Sequence, residues 1–187
     1  MNNQTMSFNY YALQVKTRAE EKFIRLFGKQ YPDFPLPLYF PKRVLDIRKK
    51  GNVKKSNLPV FPGYVFLELD ADDNIHRYYR PFRKIEGFYR FLRSNSDIAP
   101  LRNKDLELTL HFIKTIGPVA GKSKVYFNED NRIVVLSGPL SGLEGKITKV
   151  DRRKKRARVS LDLYDASFSI DLAFDVIEKA GGAIAKE

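Results

Sequence analysis

A run of five basic residues, Arg152–Arg156, is the part of the sequence best suited to binding chemistry. It lies between two stretches in which apolar and polar residues alternate, so we predict that it forms the turn of a β-hairpin. Cations gathered on one turn can neutralise several phosphate groups, while a solvated turn without such a role is the alternative that stays open. The candidate polyanion-binding residues are Lys146, Lys149, Arg152, Arg153, Lys154, Lys155, Arg156 and Arg158.

The sequence contains none of the common catalytic patterns. It has no glycine-rich phosphate loop ending in Lys-Ser or Lys-Thr, no His-Glu-x-x-His and no Gly-x-Ser-x-Gly. Cysteine is absent, and the two histidines, His76 and His111, are far apart in the sequence. We therefore expect a binding protein rather than an enzyme, with no cofactor and no metal site.

Composition points to a basic protein that folds around packed cores. The 187 residues include 34 Lys and Arg against 22 Asp and Glu, which gives a formal net charge of +12 and favours polyanionic partners such as nucleic acid. No apolar run is long enough to cross a bilayer, and the first residues lack the character of a signal peptide. We expect a monomer in the cytoplasm with no membrane partner.

Residues 1–116 predict an N-terminal α+β domain, in which helices pack on an antiparallel sheet. Phe8–Val15 has the composition of a strand, and Thr17 with Glu20 fits the start of a capped helix. Segment 48–57 is polar and basic, so we expect a connecting loop, for which a solvated hairpin tip is favoured over a nucleic-acid contact. A later short helix should end before Pro81.

Residues 117–131 contain helix breakers and no periodicity, so we predict a linker there. Residues 132–187 predict a small all-β barrel of five strands, the last of them over 176–179. Three glycines, Gly138, Gly142 and Gly145, lie close together and suggest a tight bend that needs positive φ or close backbone approach.

Two segments carry a family resemblance. Val134–Ile147 resembles the KOW motif, with its apolar pair, Gly-Pro and two further glycines in order. Phe61–Phe66, FPGYVF, resembles a strand of the N-terminal domain of NusG-family transcription elongation factors. Together they resemble the NusG family over nearly the whole chain, which implies an NGN-like α+β domain followed by an SH3-like KOW barrel.

The resemblance implies two partners for the N-terminal domain. In the family, the positions that match Phe61, Tyr64 and Phe66 belong to an apolar patch that docks on the clamp helices of RNA polymerase. The loop that matches the region of Tyr79, Arg80 and Arg83 faces the transcription bubble and can touch non-template DNA. We expect these two sets of residues to bind polymerase and DNA respectively.

Departures from the family pattern suggest a specialised member. Where general factors carry Phe-Gly-Arg for coupling to Rho or to a ribosomal protein, this chain has Tyr164-Asp165-Ala166. With its basic turn, the chain is similar to LoaP-type paralogues, which implies processive antitermination with a barrel that contacts structured nascent RNA. Two alternatives stay open: a housekeeping factor that couples polymerase to Rho or the ribosome, and a ribosomal or general RNA-binding KOW protein.

Overall fold

A computed structural model describes residues 7–49 and 51–177. The helices are α1 (Glu20–Gln30), α2 (His76–Arg83) and α3 (Asn103–Leu110), the last continued by a π-helical turn over His111–Thr115. The strands are β1 (Phe8–Val15), β2 (Leu38–Tyr39), β3 (Lys42–Lys49), β4 (Asn52–Pro59), β5 (Tyr64–Asp70), β6 (Phe88–Phe91), β7 (Val119–Ala120), β8 (Ser123–Phe127), β9 (Ile133–Ser137), β10 (Ile147–Asp151), β11 (Arg156–Leu163) and β12 (Ala166–Val176).

The chain divides into two units. Unit 1 takes in the chain up to Pro41 together with Pro59–Pro118, and unit 2 takes in Lys42–Leu58 together with the chain from Val119 onward. Unit 1 combines helices with an antiparallel sheet, and unit 2 is all β, so the predicted fold class is confirmed.

Unit 1 is built on a four-stranded sheet in the order β2-β5-β1-β6, with every pairing antiparallel. The helices α1 and α2 contribute aromatic rings to the core beside this sheet. Phe27 of α1 stacks on Phe82 of α2 with ring centroids 4.4 Å apart, and Phe23 stacks on the same ring at 6.1 Å. Such contacts add about 0.5–1.5 kcal/mol each to the gain from apolar burial.

Two predicted helix limits in unit 1 are wrong. The residue that caps α1 is Ala19, without a side-chain cap, because Thr17 lies in a turn closed by the Ala19 N–H to the Lys16 carbonyl. Helix α2 runs through Pro81 and ends at Arg83. A proline costs a helix one hydrogen bond, and the buried rings of Tyr78 and Phe82 give α2 a packing gain that offsets this loss.

Unit 2 contains a five-stranded sheet in the order β10-β11-β12-β8-β9. Strand β12 is long enough to pair with β11 along its first part and with β8 at Phe174–Val176. The predicted linker 117–131 is therefore wrong over Ser123–Phe127, whose alternating burial fits a barrel strand. The predicted strand 176–179 is replaced at its start by the end of β12, while residues 178 and 179 lie outside the described residues.

Unit 2 also includes the hairpin of β3 and β4, which the sequence assigned to the N-terminal domain. The expected loop over 48–57 is wrong, because most of this segment belongs to the two strands. Strand ladders bond backbone to backbone, so polar side chains do not prevent them on a surface ribbon. Strand β3 also pairs in parallel with β7, through Lys42 with Val119 and Arg43 with Ala120.

Within residues 7–49 and 51–177, no helix has the length and apolar character needed to span a membrane.

Candidate nucleic-acid interface

The basic turn of unit 2 joins β10 to β11, as predicted. Asp151 pairs with Arg156 in the ladder, and the Lys155 N–H donates to the Arg152 carbonyl at 3.2 Å to close the turn. Lys155 has a φ of 51°, in the left-handed region. The turn therefore projects its side chains from a fixed backbone.

Four of the eight predicted cations are engaged within unit 2. The Arg152 guanidinium lies 3.7 Å from the centroid of the Phe127 ring and donates to the Asn131 carbonyl at 2.8 Å. The others contact oxygen acceptors: Lys154 pairs with the Asp151 carboxylate, Arg156 donates to the Asp46 carbonyl and Arg158 donates to the Asp171 carboxylate at 2.8 Å. These four side chains stabilise the barrel and are less available to a ligand.

The other four cations are Lys146, Lys149, Arg153 and Lys155. All four are exposed, and within the described part of the chain none of them has an ion-pair or hydrogen-bond partner for its side chain. An exposed unpaired cation can neutralise a phosphate of a nucleic acid, which releases the counterions condensed on the nucleic acid and favours binding. These four, hereafter the free cations, are the residues best placed to contact a polyanion.

A groove of about 570 Å³ runs between the β3–β4 hairpin and the basic turn, wholly within unit 2. Its basic lining consists of Arg48, Lys122, Arg153, Lys154, Lys155 and Arg156. Sequence reasoning missed Arg48 and Lys122 as members of this site. The signal for Arg48 was the basic character of segment 48–57, whereas Lys122 lies in the segment predicted as a linker and carried no such signal.

Ion pairs and hydrogen bonds hold the hairpin to the barrel. Lys122 donates to the Asp46 carboxylate at 2.9 Å, which lowers the pKa of Asp46 and raises the pKa of Lys122. Arg43 donates from Nε to the Asp171 carbonyl at 2.9 Å, and burial lowers the pKa of Arg43 to about 10. The hairpin is thereby fixed beside the turn.

The KOW-like bend requires a glycine at one position. Gly138 has a φ of 95°, and a Cβ there would lie 2.7 Å from the Ser123 Cα. Ser123 is fully buried, and its Oγ accepts the Leu140 N–H at 2.9 Å, so β8 is held directly against the bend. Gly142 also has positive φ, as predicted, whereas Gly145 has neither a positive φ nor a close neighbour, so the prediction for Gly145 is wrong.

The aromatic side chains predicted to face polymerase are buried. Phe61 and Phe66 are 0% exposed and Tyr64 is 7% exposed. The Phe61 ring packs edge to face on Phe66 at 5.4 Å and on Phe112 at 5.8 Å. The expectation of an open apolar patch at these positions is therefore wrong in this structure, since packing inside unit 1 covers the rings.

The turn that precedes β5 is fixed by a buried carboxylate. Glu20 is 3% exposed, and its Oε1 accepts the Gly63 N–H at 2.7 Å. Gly63 has a φ of 84°, and a Cβ there would approach the Thr17 hydroxyl at 3.0 Å. The FPGY sequence therefore fits a backbone turn that Glu20 holds in place.

The predicted DNA-contacting residues lie on α2. Arg80 and Arg83 are exposed one turn apart and, among the described residues, neither has an ion-pair partner. Tyr79 is half-buried and its ring lies beside Phe88 and Phe91, at 6.5 and 6.4 Å. Tyr89, which sequence reasoning did not select, is 57% exposed on the edge strand β6.

Glu68 is the centre of a hydrogen-bond network in unit 1. Its carboxylate accepts from Tyr10 at 2.9 Å and Tyr39 at 3.1 Å and pairs with Lys114. Burial works to raise the pKa of Glu68, but these donors outweigh it and lower the pKa, while burial and Glu68 raise the pKa of Tyr10 to about 12. The network is satisfied internally, and the described residues contain no cluster of metal-ligating side chains.

Comparisons with known proteins agree with this architecture. The family model described as "Transcription termination factor nusG" matches residues 8–110, and that of the "KOW motif" matches residues 129–162. The transcription termination/antitermination protein NusG of Buchnera aphidicola is 30% identical over 139 residues, which are 74% of this chain and 74% of that protein. Its counterpart in Thermus thermophilus is 25% identical over 185 residues, covering 94% of this chain and all of that protein.

A solved structure shares the fold. The structure titled "Domain interaction in Thermotoga maritima NusG" is similar with a TM-score of 0.53 and 19% identity, covering 89% of this chain and 94% of that one. The match to the first family model extends over more than half of the 187 residues. The protein therefore belongs to the NusG family of transcription termination and antitermination factors.

Proposed function

We propose that this protein is a processive antitermination factor, which binds RNA polymerase through unit 1 and contacts nascent RNA through the basic face of unit 2. The observation that carries the proposal is the set of four free cations on the barrel. A barrel that only docked on another protein would gain little from four unpaired cations, because such charges are costly to bury at an interface.

Polymerase binding follows from the family resemblance, with a changed role for the aromatic residues. Tyr64 is the member of the set nearest to solvent, so we propose that it makes the contact with the clamp helices. Phe61 and Phe66 would not contact the clamp helices, and their buried rings would fix the position of β5. A deeper contact would require their rings to leave the cluster with Phe112.

Clamp-helix binding by the full chain tests this division of roles. Tyr64→Ala should weaken the capture of purified clamp helices, whereas Tyr89→Ala, which alters an exposed tyrosine on the same sheet, should not. Thermal unfolding of both variants controls for the burial of Tyr64. Equal capture by Tyr64→Ala and the unaltered protein would rule out this surface.

The α2 surface supports a second contact. We propose that Arg80 and Arg83 contact the non-template DNA strand and that Tyr79 holds β6 in position rather than stacking on a base. Aromatic side chains that stack on unpaired bases need an open ring face, and Tyr89 offers more of one than Tyr79. Crosslinking of the DNA strand in a paused complex should fall with Arg80→Gln and Arg83→Gln.

Transcription in vitro through a terminator tests the function as a whole. With polymerase and a template that carries the candidate leader RNA, the protein should raise the read-through fraction. Replacement of all four free cations by Gln should remove that gain while polymerase capture persists. A housekeeping factor would instead respond to Rho or a ribosomal protein and would be insensitive to the four replacements.

A further inference from the structure

We propose that the groove between the β3–β4 hairpin and the basic turn holds a segment of single-stranded RNA. Its phosphates would lie on Arg48, Arg153 and Lys155, and a base would lie against the aliphatic side chains of Ile47 and Val53. The inference rests on the proposed RNA-binding function. It locates the RNA site partly on the hairpin, which the sequence analysis had assigned to the N-terminal domain.

The groove is lined mainly by positively charged side chains. Six cations line the groove against a single carboxylate, Asp46, which is already paired with Lys122. Within the part of the chain that the structure describes, Arg48, Arg153 and Lys155 have no ion-pair partner. A concave surface with one sign of charge attracts the opposite charge more strongly than a flat surface does. The occupant that fits is a polyanion.

The groove also exposes two aliphatic side chains. Val53 is 58% exposed and Ile47 is 37% exposed, and both line this groove. Two aliphatic side chains among cations form a surface that an unstacked base can cover while its phosphates meet the charges. A simple inorganic anion would leave these two side chains in water.

The groove is also preformed. Arg43 donates to the Asp171 carbonyl, Arg156 donates to the Asp46 carbonyl, and Lys122 pairs with both Asp46 and Asp175. A site that is fixed before binding costs less ordering entropy when the ligand arrives. Its volume of about 570 Å³ lies within the usual range for ligand sites, about 300–1,000 Å³.

A nucleic acid is favoured over an acidic protein segment. Three of the six cations in the groove are lysines, Lys122, Lys154 and Lys155. Lysine is depleted at the centre of protein–protein interfaces, whereas lysine and arginine neutralise the phosphates in complexes with nucleic acid. An acidic peptide is therefore an outcome for the experiment to exclude.

The hairpin provides a matched pair of variants. Arg48 lines the groove, whereas Lys54 is exposed on the same hairpin outside it, next to Val53 and so directed to the opposite face of the strand. Arg48→Gln and Lys54→Gln remove the same charge. Val53→Glu adds a negative charge to the aliphatic part of the groove, and because Val53 is exposed the variant should fold.

Fluorescence anisotropy of the full chain with a labelled single-stranded RNA of about 12 nucleotides, measured over a salt series, gives the affinity and the salt slope. We expect Arg48→Gln to weaken binding about three- to tenfold and to reduce the slope by about 0.7, the value for one phosphate contact to a single strand. Val53→Glu should weaken binding at least as much. Lys54→Gln should change the affinity by less than about twofold. Thermal unfolding confirms that the variants fold.

Equal effects of Arg48→Gln and Lys54→Gln would overturn the proposal, because binding would then depend on net charge alone. If polyglutamate, or DNA of the same sequence, displaces the labelled RNA as effectively as unlabelled RNA does, RNA is not the specific occupant of the groove. If Arg153→Gln and Lys155→Gln weaken RNA binding while Arg48→Gln does not, the groove is excluded and the proposed function stands. Absence of RNA binding by the unaltered chain excludes the proposed function itself.

Discussion

Replacement of Gly138 by alanine tests whether the KOW-like bend requires a glycine at this position. In Gly138→Ala the new Cβ meets the Ser123 Cα at 2.7 Å and the Lys122 carbonyl oxygen at 3.1 Å. Both neighbours are backbone atoms and cannot swing away as a flexible side chain could. The φ of 95° adds backbone strain, because this conformation is unfavourable for an L-residue with a Cβ and not for glycine.

The expected cost can be worked from these two effects. Left-handed backbone costs an L-residue about 1–2 kcal/mol, and overpacking at a tight site costs about 1–3 kcal/mol. The variant should therefore lose about 2–5 kcal/mol of unfolding free energy in unit 2. Gly145→Ala is the matched control, because Gly145 has open space and no positive φ, and it should change stability by less than about 0.5 kcal/mol.

Hydrogen exchange detected by mass spectrometry suits this test, because the chain has no tryptophan and contains two units. Amides of β11, whose inward residues Val159 and Leu161 are fully buried, report on unit 2 alone. A loss of 2 kcal/mol or more corresponds to an exchange rate about 30-fold faster or greater. Equal exchange in Gly138→Ala and Gly145→Ala would show that the bend tolerates a side chain at position 138.

Three further predictions concern single side chains. Glu20→Ala leaves the Gly63 N–H without its buried acceptor and should cost about 1–3 kcal/mol, measured by hydrogen exchange in β5. Pairing with Lys122 lowers the folded-state pKa of Asp46. The ion pair therefore stabilises the folded protein above the ordinary aspartate pKa of about 3.9, and this stabilisation is lost as the pH falls through the lower pKa of the folded state. Unfolding of Asp46→Asn across this range should therefore converge with that of the unaltered protein at low pH, and a constant difference would contradict the assignment. Arg152→Ala removes the guanidinium from its aromatic ring and should lower stability by about 1 kcal/mol with little change in RNA affinity, since this cation is already engaged.

Local sequence signals predicted much of the fold. Strand β1 has the predicted limits because six of its eight residues are apolar or aromatic, and the barrel bend at Gly138 follows from glycine spacing. Strand β4 was missed, since most of its side chains are polar, and the pairing of β3 with β7 was missed because Val119 and Ala120 are remote in sequence from Lys42 and Arg43. Long-range pairing is not visible in a local pattern.

The candidate site was likewise predicted only as far as local sequence allows. Residue type identified the eight basic positions, but it could not separate Arg152, whose guanidinium lies on the Phe127 ring, from Arg153, which is free. The apolar run FPGYVF was compatible with a core strand or with a docking patch, and burial of Phe61 and Phe66 favours the core. Whether an apolar face is covered depends on distant residues such as Phe112.

The salt dependence of RNA binding by the full chain shows whether the free cations contact phosphates. The four free cations should contribute about −3 to the slope of log affinity against log salt, since each phosphate contact contributes about 0.7 for single strands and about 0.9 for duplexes. Replacement of Lys146, Lys149, Arg153 and Lys155 by Gln should remove that contribution and leave only the part due to Arg48, about 0.7, while hydrogen exchange in β11 stays unchanged. A variant that keeps both the affinity and the slope of the unaltered protein would contradict the account.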